Sequence, residues 1–330
     1  MSLPRVLIIG VGSIGHRHLR CFLDTGRVTA EICEVNTELA AELSRQYNVA
    51  TVWHDLESAL ESPPDLAVIC APAHLHIDMA LALVEHDVDI LIEKPLSTSL
   101  DRVGDLQHAV QERNVTCGVA YVTHQHPVVK DVKRELDGGR FGKPLQLNYV
   151  SGQHFPYYRP AYREIYYTNR ATGGGCIQDA ITHAMNTAEL LVGPITRLAC
   201  DADHLALEGV TVEDTVHVMT RHGNVMGSLV LNQFQTPNES TLIINCERGT
   251  IKCLFHENRW LWNDTPEEPW NEGASYKLER DDLFVRQANM FLDAREQKQS
   301  ISCNLEAAIQ TLKVNLAMLE SSDSLTWKSI

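Results

Sequence analysis

The first third of this chain alternates short apolar runs with helically spaced segments, and that alternation restricts the fold more than any other feature. Val6–Ile9, Ala30–Glu34, Ala50–Val52, Leu66–Cys70, Ile90–Glu93 and Thr116–Ala120 are runs of strand length. Between them Leu39, Leu43 and Tyr47, then Ile77, Leu81 and Val84, then Val103, Leu106 and Val110 recur at helical spacing. Strands and helices in strict succession bury both faces of a sheet, which predicts a parallel sheet of Rossmann type, an α/β domain. At 330 residues the chain is too long for one ordinary core and suits two domains, expected here as 1–122 and 123–330.

Directly behind the first run stands Gly10-Val11-Gly12-Ser13-Ile14-Gly15. The first glycine permits a tight turn, the second lets backbone approach a phosphate, and the third lets helix pack on strand. A helix opening near Ser13 and Ile14 aims its free N–H groups and positive dipole end at a pyrophosphate. Glu34 closes the second run about 20 residues on, where the hydroxyls of a dinucleotide ribose are read. A carboxylate there repels the extra phosphate of NADP, and neither Val35 nor Asn36 offers a cation. NAD is therefore favoured over NADP, with a solvated strand end as the other reading of Glu34.

A second motif, Glu93-Lys94-Pro95, leaves the fifth run at the carboxyl edge of the sheet, where ligands of open α/β folds bind. Pro95 biases Lys94 toward extended backbone and allows a cis Lys94–Pro95 bond. Further on, Gly173-Gly174-Gly175 precedes Asp179 and His183. Four residues apart on a helix, these two share a face and can reach one substrate. Histidine is the side chain whose resting pKa suits proton exchange near neutrality.

After Pro127 the pattern changes. Val128, Val129, Val132 and Leu136 predict a helix over 127–137 stopped by Gly138-Gly139. Strand-like runs follow at 145–151, 198–203, 216–220, 226–231, 242–246, 251–254 and 260–262, with helices around 182–191, 283–295 and 305–319. An α+β domain with a large, mainly antiparallel sheet is expected, helices covering one face and the other open to a second subunit. The segment 155–167 carries two Arg, Arg159 and Arg163, among five Tyr. It can clamp a carboxylate or phosphate and stack on a ring, or it can serve as a subunit contact.

Taken together, the motifs resemble those of the Gfo/Idh/MocA family of oxidoreductases. Ala71-Pro72-Ala73-His74-Leu75-His76 is similar to the family's loop after the fourth strand, which implies that Ala71, Pro72 and His76 lie beside the cofactor along with Glu93 and Lys94. Gly118-Val119-Ala120-Tyr121 resembles its last Rossmann strand, and the glycines with Asp179 and His183 resemble its second-domain motif. Segment 155–167 resembles one in members encoded near sialic-acid-type sugar activation genes. The resemblance implies oxidation of a secondary alcohol on a sugar, sugar acid or cyclitol. His183 would be the base, Lys94 would stabilise the developing alkoxide, and Asp179 would orient the substrate or His183. It also implies a homodimer or homotetramer. Tyr121, His124, Arg159 and Arg163 would line the substrate pocket with Asp179 and His183. Asn186 stands where many relatives have Asp, and Thr123-His124-Gln125-His126-Pro127 departs from the family's Arg or Asn, so substrate identity stays open. An NAD-assisted glycoside hydrolase and a non-catalytic sugar-sensing regulator share the architecture.

Composition excludes other classes. A formal net charge of −15, from 43 acidic and 28 basic side chains, opposes a nucleic-acid surface. No run approaches the roughly 18 apolar residues of a membrane span, and the N-terminal residues lack signal-peptide character. Nine Cys without a Cys-x-x-Cys pair suggest reduced thiols and a cytoplasmic setting. His16/His18, His74/His76 and His124/His126 form pairs, but zinc needs three or four convergent ligands, so no metal is expected.

Overall fold

The structure, a computed structural model, describes residues 3–330. In chain order it runs β1 (Arg5–Ile9), α1 (Ser13–Asp24), β2 (Thr29–Cys33), α2 (Thr37–Tyr47), β3 (Thr51–Trp53), α3 (Leu56–Leu60), β4 (Leu66–Ile69), α4 (His76–Glu85), β5 (Asp89–Ile92), α5 (Val103–Arg113) and β6 (Cys117–Val119). There follow α6 (Pro127–Asp137), β7 (Pro144–Gly152), the single turn α7 (Phe155–Tyr158), α8 (Thr182–Val192), β8 (Arg197–Asp203), β9 (Thr215–His222), β10 (Val225–Asn232) and β11 (Glu239–Cys246). The chain ends with β12 (Gly249–Leu254), β13 (Arg259–Asn263), β14 (Asn271–Ser275), α9 (Asp282–Arg295), α10 (Leu305–Ser324) and β15 (Lys328–Ser329).

Two compact units result, residues 1–125 with 279–309, and residues 126–278 with 310–330. The division lies three residues beyond the expected 122/123, and the chain returns to the first unit near its end. Ion pairs hold that returning segment. Arg20 grips Asp281 at 2.6 and 2.9 Å, Arg27 meets Asp293 at 2.8 Å, and Arg295 meets Asp89 at 2.8 Å. Phe291 and Leu292 of α9 are buried in the same cluster as Val6, Ile8, Leu19 and Phe22. Nothing local in α9 announces this return, because its apolar face fits any complementary surface.

The first unit is built on a six-stranded parallel sheet in the order β3-β2-β1-β4-β5-β6. Helices cover both faces, so central strands are apolar throughout; Leu66, Ala67, Val68 and Ile69 have no exposed surface. Asn36 caps α2 by accepting from the N–H groups of Glu38 and Leu39, each at 3.1 Å, and Asp55 caps α3 through the Ser58 N–H at 2.7 Å.

The second unit is a nine-stranded sheet, β14-β13-β12-β11-β7-β10-β9-β8-β15, antiparallel except between β7 and β10. Its inner face meets α6, α8 and the later part of α10 through residues such as Val129, Met185, Leu191, Val314 and Met318. His126 caps α6 through the Val128 N–H, with Pro127 at the first helical position. On the outer face Val150, Met219 and Met226 are about half exposed.

One buried hydrogen bond fastens α1 to the end of β5. His18 Nε2 lies 2.6 Å from Glu93 Oε1, and both residues are almost wholly buried. Burial pushes the Glu93 carboxyl up, but the His18 hydrogen bond and charge, with the charge and N–H of Lys94, bring it below its ordinary value of 4.5. A depressed carboxyl contributes stability above its unfolded value and loses it as pH falls through the folded one. Glu93→Gln should therefore cost about 1–3 kcal/mol at pH 5.5, in line with losing a charged buried hydrogen bond. The gap between variant and parent should shrink toward pH 3.5 in urea unfolding, and a pH-independent gap would rule this account out.

Candidate active site

In the first unit the chain leaves β1 through Gly10, whose φ of +77° is left-handed. A Cβ there would sit 3.1 Å from the Cys70 carbonyl and 3.2 Å from the Ala71 N. This is the point between β1 and β4 where the strand order reverses, the ligand-binding crevice of such sheets. Gly15 is fixed by packing, since its Cβ would fall 1.8 Å from the Gly10 oxygen. Gly12 differs. It is exposed, a Cβ would meet nothing within 4 Å, and it caps α1 with no side-chain bond and no acid in the first turn. The exposed Ser13 and half-buried Ile14 then open the helix. Their arrangement is a cradle for an anion, and it fits a dinucleotide pyrophosphate.

Glu34 lies one residue past β2 and is pinned by backbone. Its Oε2 accepts the Val11 N–H at 2.8 Å and its Oε1 the Asn36 N–H at 2.9 Å. Among the described residues it forms no ion pair, and the neighbouring Val35 is 82% exposed. A negative charge therefore stands beside the glycine turn without a cation to offset it.

The loops after β4 and β5 distribute their residues differently from the expectation. Ala71 is half-buried and Pro72 exposed, on the crevice side. His76, expected against the cofactor, is 1% exposed and lies between two carbonyls, Ala71 O at 2.8 Å and Pro95 O at 3.1 Å. Burial lowers its pKa. A neutral imidazole donates its one N–H to one of these carbonyls and faces the other, which seats His76 between the β4 loop and the β5 loop. Glu93 is 5% exposed and engaged by His18 and by the Lys94 N–H at 3.0 Å. It is a brace and not a contact surface. Lys94 is half-buried and its bond to Pro95 is cis.

Tyr121 and His124 also move from pocket to interior. Tyr121 has no exposed surface, and His124, 6% exposed, directs Nδ1 toward the Ser302 carbonyl at 2.8 Å. The cause is the returning chain. β6 is an edge strand, and Val119 N–H donates to Cys303 O at 3.0 Å while Gln125 reaches Ser302 Oγ at 3.1 Å. Segment 301–304 covers the edge and the residues that follow it.

In the second unit the triple glycine is dictated by contact. A Cβ on Gly174 would lie 2.2 Å from the Tyr167 carbonyl, and one on Gly175, at φ +85°, 2.3 Å from Glu213 Oε1. Glu213 is 1% exposed; it accepts from Arg170 Nε at 2.7 Å and from the Ile177 N–H at 3.2 Å. Asp179 then sits in a π-helical turn, Ile177–Ile181, and His183 in the first turn of α8. A continuous α-helix was the expectation; the wider turn replaces it, a feature frequent at functional sites. Through 173–188 only Asp179, Ala180 and His183 keep partial exposure, so the two polar groups do share the open side. Tyr166 donates its hydroxyl to Asp179 Oδ1 at 2.7 Å.

Arg163 is exposed, with its side chain bonded to neighbours in the protein. Its Nε donates to the Glu208 carbonyl at 2.8 Å and to the Tyr162 hydroxyl at 3.1 Å, with its guanidinium 5.2 Å from the Tyr162 ring centre. Arg159 is exposed, and its guanidinium has no hydrogen bond or ion pair among the described residues. Asn186 is 3% exposed and donates to Thr311 Oγ1 at 3.0 Å. Arg170 and Glu213 are not singled out by the sequence, and His18 only as one of a histidine pair. His18 stands three residues after Gly15, a usable signal; Glu213 has none. Among the described residues no group of three or more His, Cys, Asp or Glu is placed to hold a metal. The paired histidines have other partners, His16 with Tyr47 at 2.7 Å and His126 with Asn258 at 3.3 Å.

Residues 4–121 match the family model described as "Oxidoreductase family, NAD-binding Rossmann fold", and residues 129–252 the GFO/IDH/MocA C-terminal domain. The levoglucosan dehydrogenase of Pseudarthrobacter phenanthrenivorans is 29% identical, over 91% of this chain and 88% of its own. The scyllo-inositol 2-dehydrogenase (NAD(+)) of Bacillus subtilis is 29% identical over 43% of this chain and 42% of its own. A levoglucosan dehydrogenase solved with NADH and levoglucosan superposes with a TM-score of 0.90 at 20% identity, covering 100% of both chains.

The glycines give a paired test. Gly12→Ala should fold with stability within about 0.5 kcal/mol of the parent, yet bind NADH at least tenfold more weakly by fluorescence titration. Gly15→Ala should lose about 2 kcal/mol or more in urea unfolding through overpacking. Parental NADH affinity in Gly12→Ala would remove the pyrophosphate reading.

Proposed function

The chain belongs to the GFO/IDH/MocA oxidoreductases, and we propose that it oxidises a secondary alcohol of a sugar, sugar acid or cyclitol with NAD. The observation that carries this reading is the open strip of the second unit, on which Asp179 and His183 are the polar side chains, set there by a glycine turn that tolerates no Cβ. When bound, the nicotinamide supplies the hydride acceptor. His183 takes the hydroxyl proton, work suited to an imidazole near neutral pH. The Lys94 ammonium polarises the hydroxyl and stabilises the charge that develops on its oxygen. Asp179 orders the substrate hydroxyls. The names of the two curated relatives, one for an anhydrosugar and one for a cyclitol, support the substrate class.

NAD is preferred because Glu34 presents a carboxylate with no cation beside it where NADP carries its extra phosphate. Gly10, Gly12, Ser13, Ile14, Gly15, Ala71, Pro72 and Glu34 form the cofactor side of this reading. Arg159 is the remaining candidate to bind an acidic sugar, since Arg163 is committed to Tyr162 and Glu208. The half-exposed Val150, Met219 and Met226 support assembly of two copies through the outer sheet face. No helix of the described residues is long and apolar enough to cross a membrane. Nine free cysteines fit a reducing, cytoplasmic setting.

A panel of polyols, sugars and sugar acids assayed with NAD and NADP should show reduced nicotinamide accumulating with NAD. Bond cleavage without NADH would point to the glycosidase alternative. His183→Ala should lower kcat by about 10²–10⁴-fold while NADH affinity stays within twofold; retained turnover would demand another base. Arg159→Ala should reduce kcat/KM for sugar acids about tenfold, as expected for a charge-assisted hydrogen bond, and leave neutral sugars unchanged. Equal kinetics on acids would exclude the carboxylate clamp.

A further inference from the structure

The Tyr- and Arg-rich segment carries two functions in different residues. Tyr167 is structural. It has no exposed surface, its ring centre lies 4.6 Å from that of Phe155 and 6.3 Å from that of Tyr162, and its hydroxyl donates to the Gln233 side chain. With Leu207, Val210 and Val212 these rings form a small core of their own. Tyr166, one residue earlier, takes no part in that core. Its carbonyl accepts from Thr172 Oγ1 at 2.8 Å, which anchors its backbone to the start of the glycine turn. Its ring stays 42% exposed, while its hydroxyl reaches Asp179 Oδ1 at 2.7 Å.

A phenol that donates to a carboxylate makes a charge-assisted bond, stronger than a neutral one. Such a bond favours the ionised carboxylate and fixes its rotamer. Tyr166 stands outside that core, its backbone tied to Thr172 and its hydroxyl to Asp179. We propose that Tyr166 is a positioning residue of the reaction, holding the Asp179 carboxylate in one orientation so that it can order substrate hydroxyls. The proposal rests on reading Asp179 and His183 as the catalytic pair. Nothing in the Asp-x-x-x-His spacing requires a tyrosine thirteen residues upstream; the bond follows from the glycine turn folding segment 166–172 back over the helix start.

Tyr166→Phe keeps the ring and removes the bond. Its urea midpoint and NADH affinity should match the parent, whereas kcat/KM for the best substrate of the panel should fall about tenfold, mostly in kcat. In an Asp179→Asn background the same substitution should have no further effect, since the two act as a unit. A readout independent of turnover is the titration of Asp179 followed by carboxyl ¹³C resonances, assigned by the signal lost in Asp179→Asn. The titratable groups around it include Tyr166, Tyr167 and Cys176, with His183 one turn further on. Tyr166→Phe should raise the apparent Asp179 pKa by about half a unit or more.

An unchanged Asp179 titration overturns the proposal. So does parental kcat/KM in Tyr166→Phe, whatever the titration shows. If the parent enzyme oxidises nothing on the panel, the dehydrogenase reading fails by itself, and the titration still decides whether Tyr166 holds Asp179.

Discussion

A carboxylate with almost no access to water organises the nucleotide-binding unit. Glu93 leaves β5 into the interior, where an unpaired charge would cost several kcal/mol. It is tolerated because His18 meets it at 2.6 Å and the Lys94 N–H at 3.0 Å. That pairing joins the two motifs from which the chain was read. His18 sits on the helix that the glycine turn begins, and Glu93 opens the Glu-Lys-Pro turn, so the anion cradle and the lysine are set by one buried contact. His76 repeats the device one loop away, lying between the carbonyls of Ala71 and Pro95.

The second unit uses the same physics with other residues. Glu213 is buried and engaged by Arg170 and by the Ile177 N–H, and Gly175 must lack a Cβ because that carboxylate is there. The glycine turn is thus the imprint of a buried acid on the backbone beside it. The turn leads into a π-helical segment, and the strip it leaves open holds Asp179 and His183. Asp179 and His183 stay accessible while the groups around them, Glu213 among them, are buried and held in place.

Much of the architecture was legible before any coordinates. Strand positions in the first unit follow from apolar runs in a sheet covered on both faces, and the mainly antiparallel second sheet follows from alternation and turn residues. The expected site residues that the fold buries share one cause. His76, Glu93 and His124 are polar residues near motifs, and each is turned inward onto a partner remote in sequence: the Pro95 carbonyl, His18, or the Ser302 carbonyl. Proximity to a motif says that a residue is near the site. It does not say which way the side chain faces.

By itself the sequence determined the class of fold, the glycine turn after β1, and the spacing that sets Asp179 and His183 on one open side. These are local matters of period, turn chemistry and spacing along one element, which the backbone expresses wherever it is placed. Tertiary structure alone decided that residues 279–309 return to the first unit, that Glu93 and His76 are braces, and that Tyr166 rather than Arg163 reaches the candidate site. Those outcomes depend on which buried polar group finds which partner, and desolvation makes the pairing compulsory without writing it into any neighbouring residue.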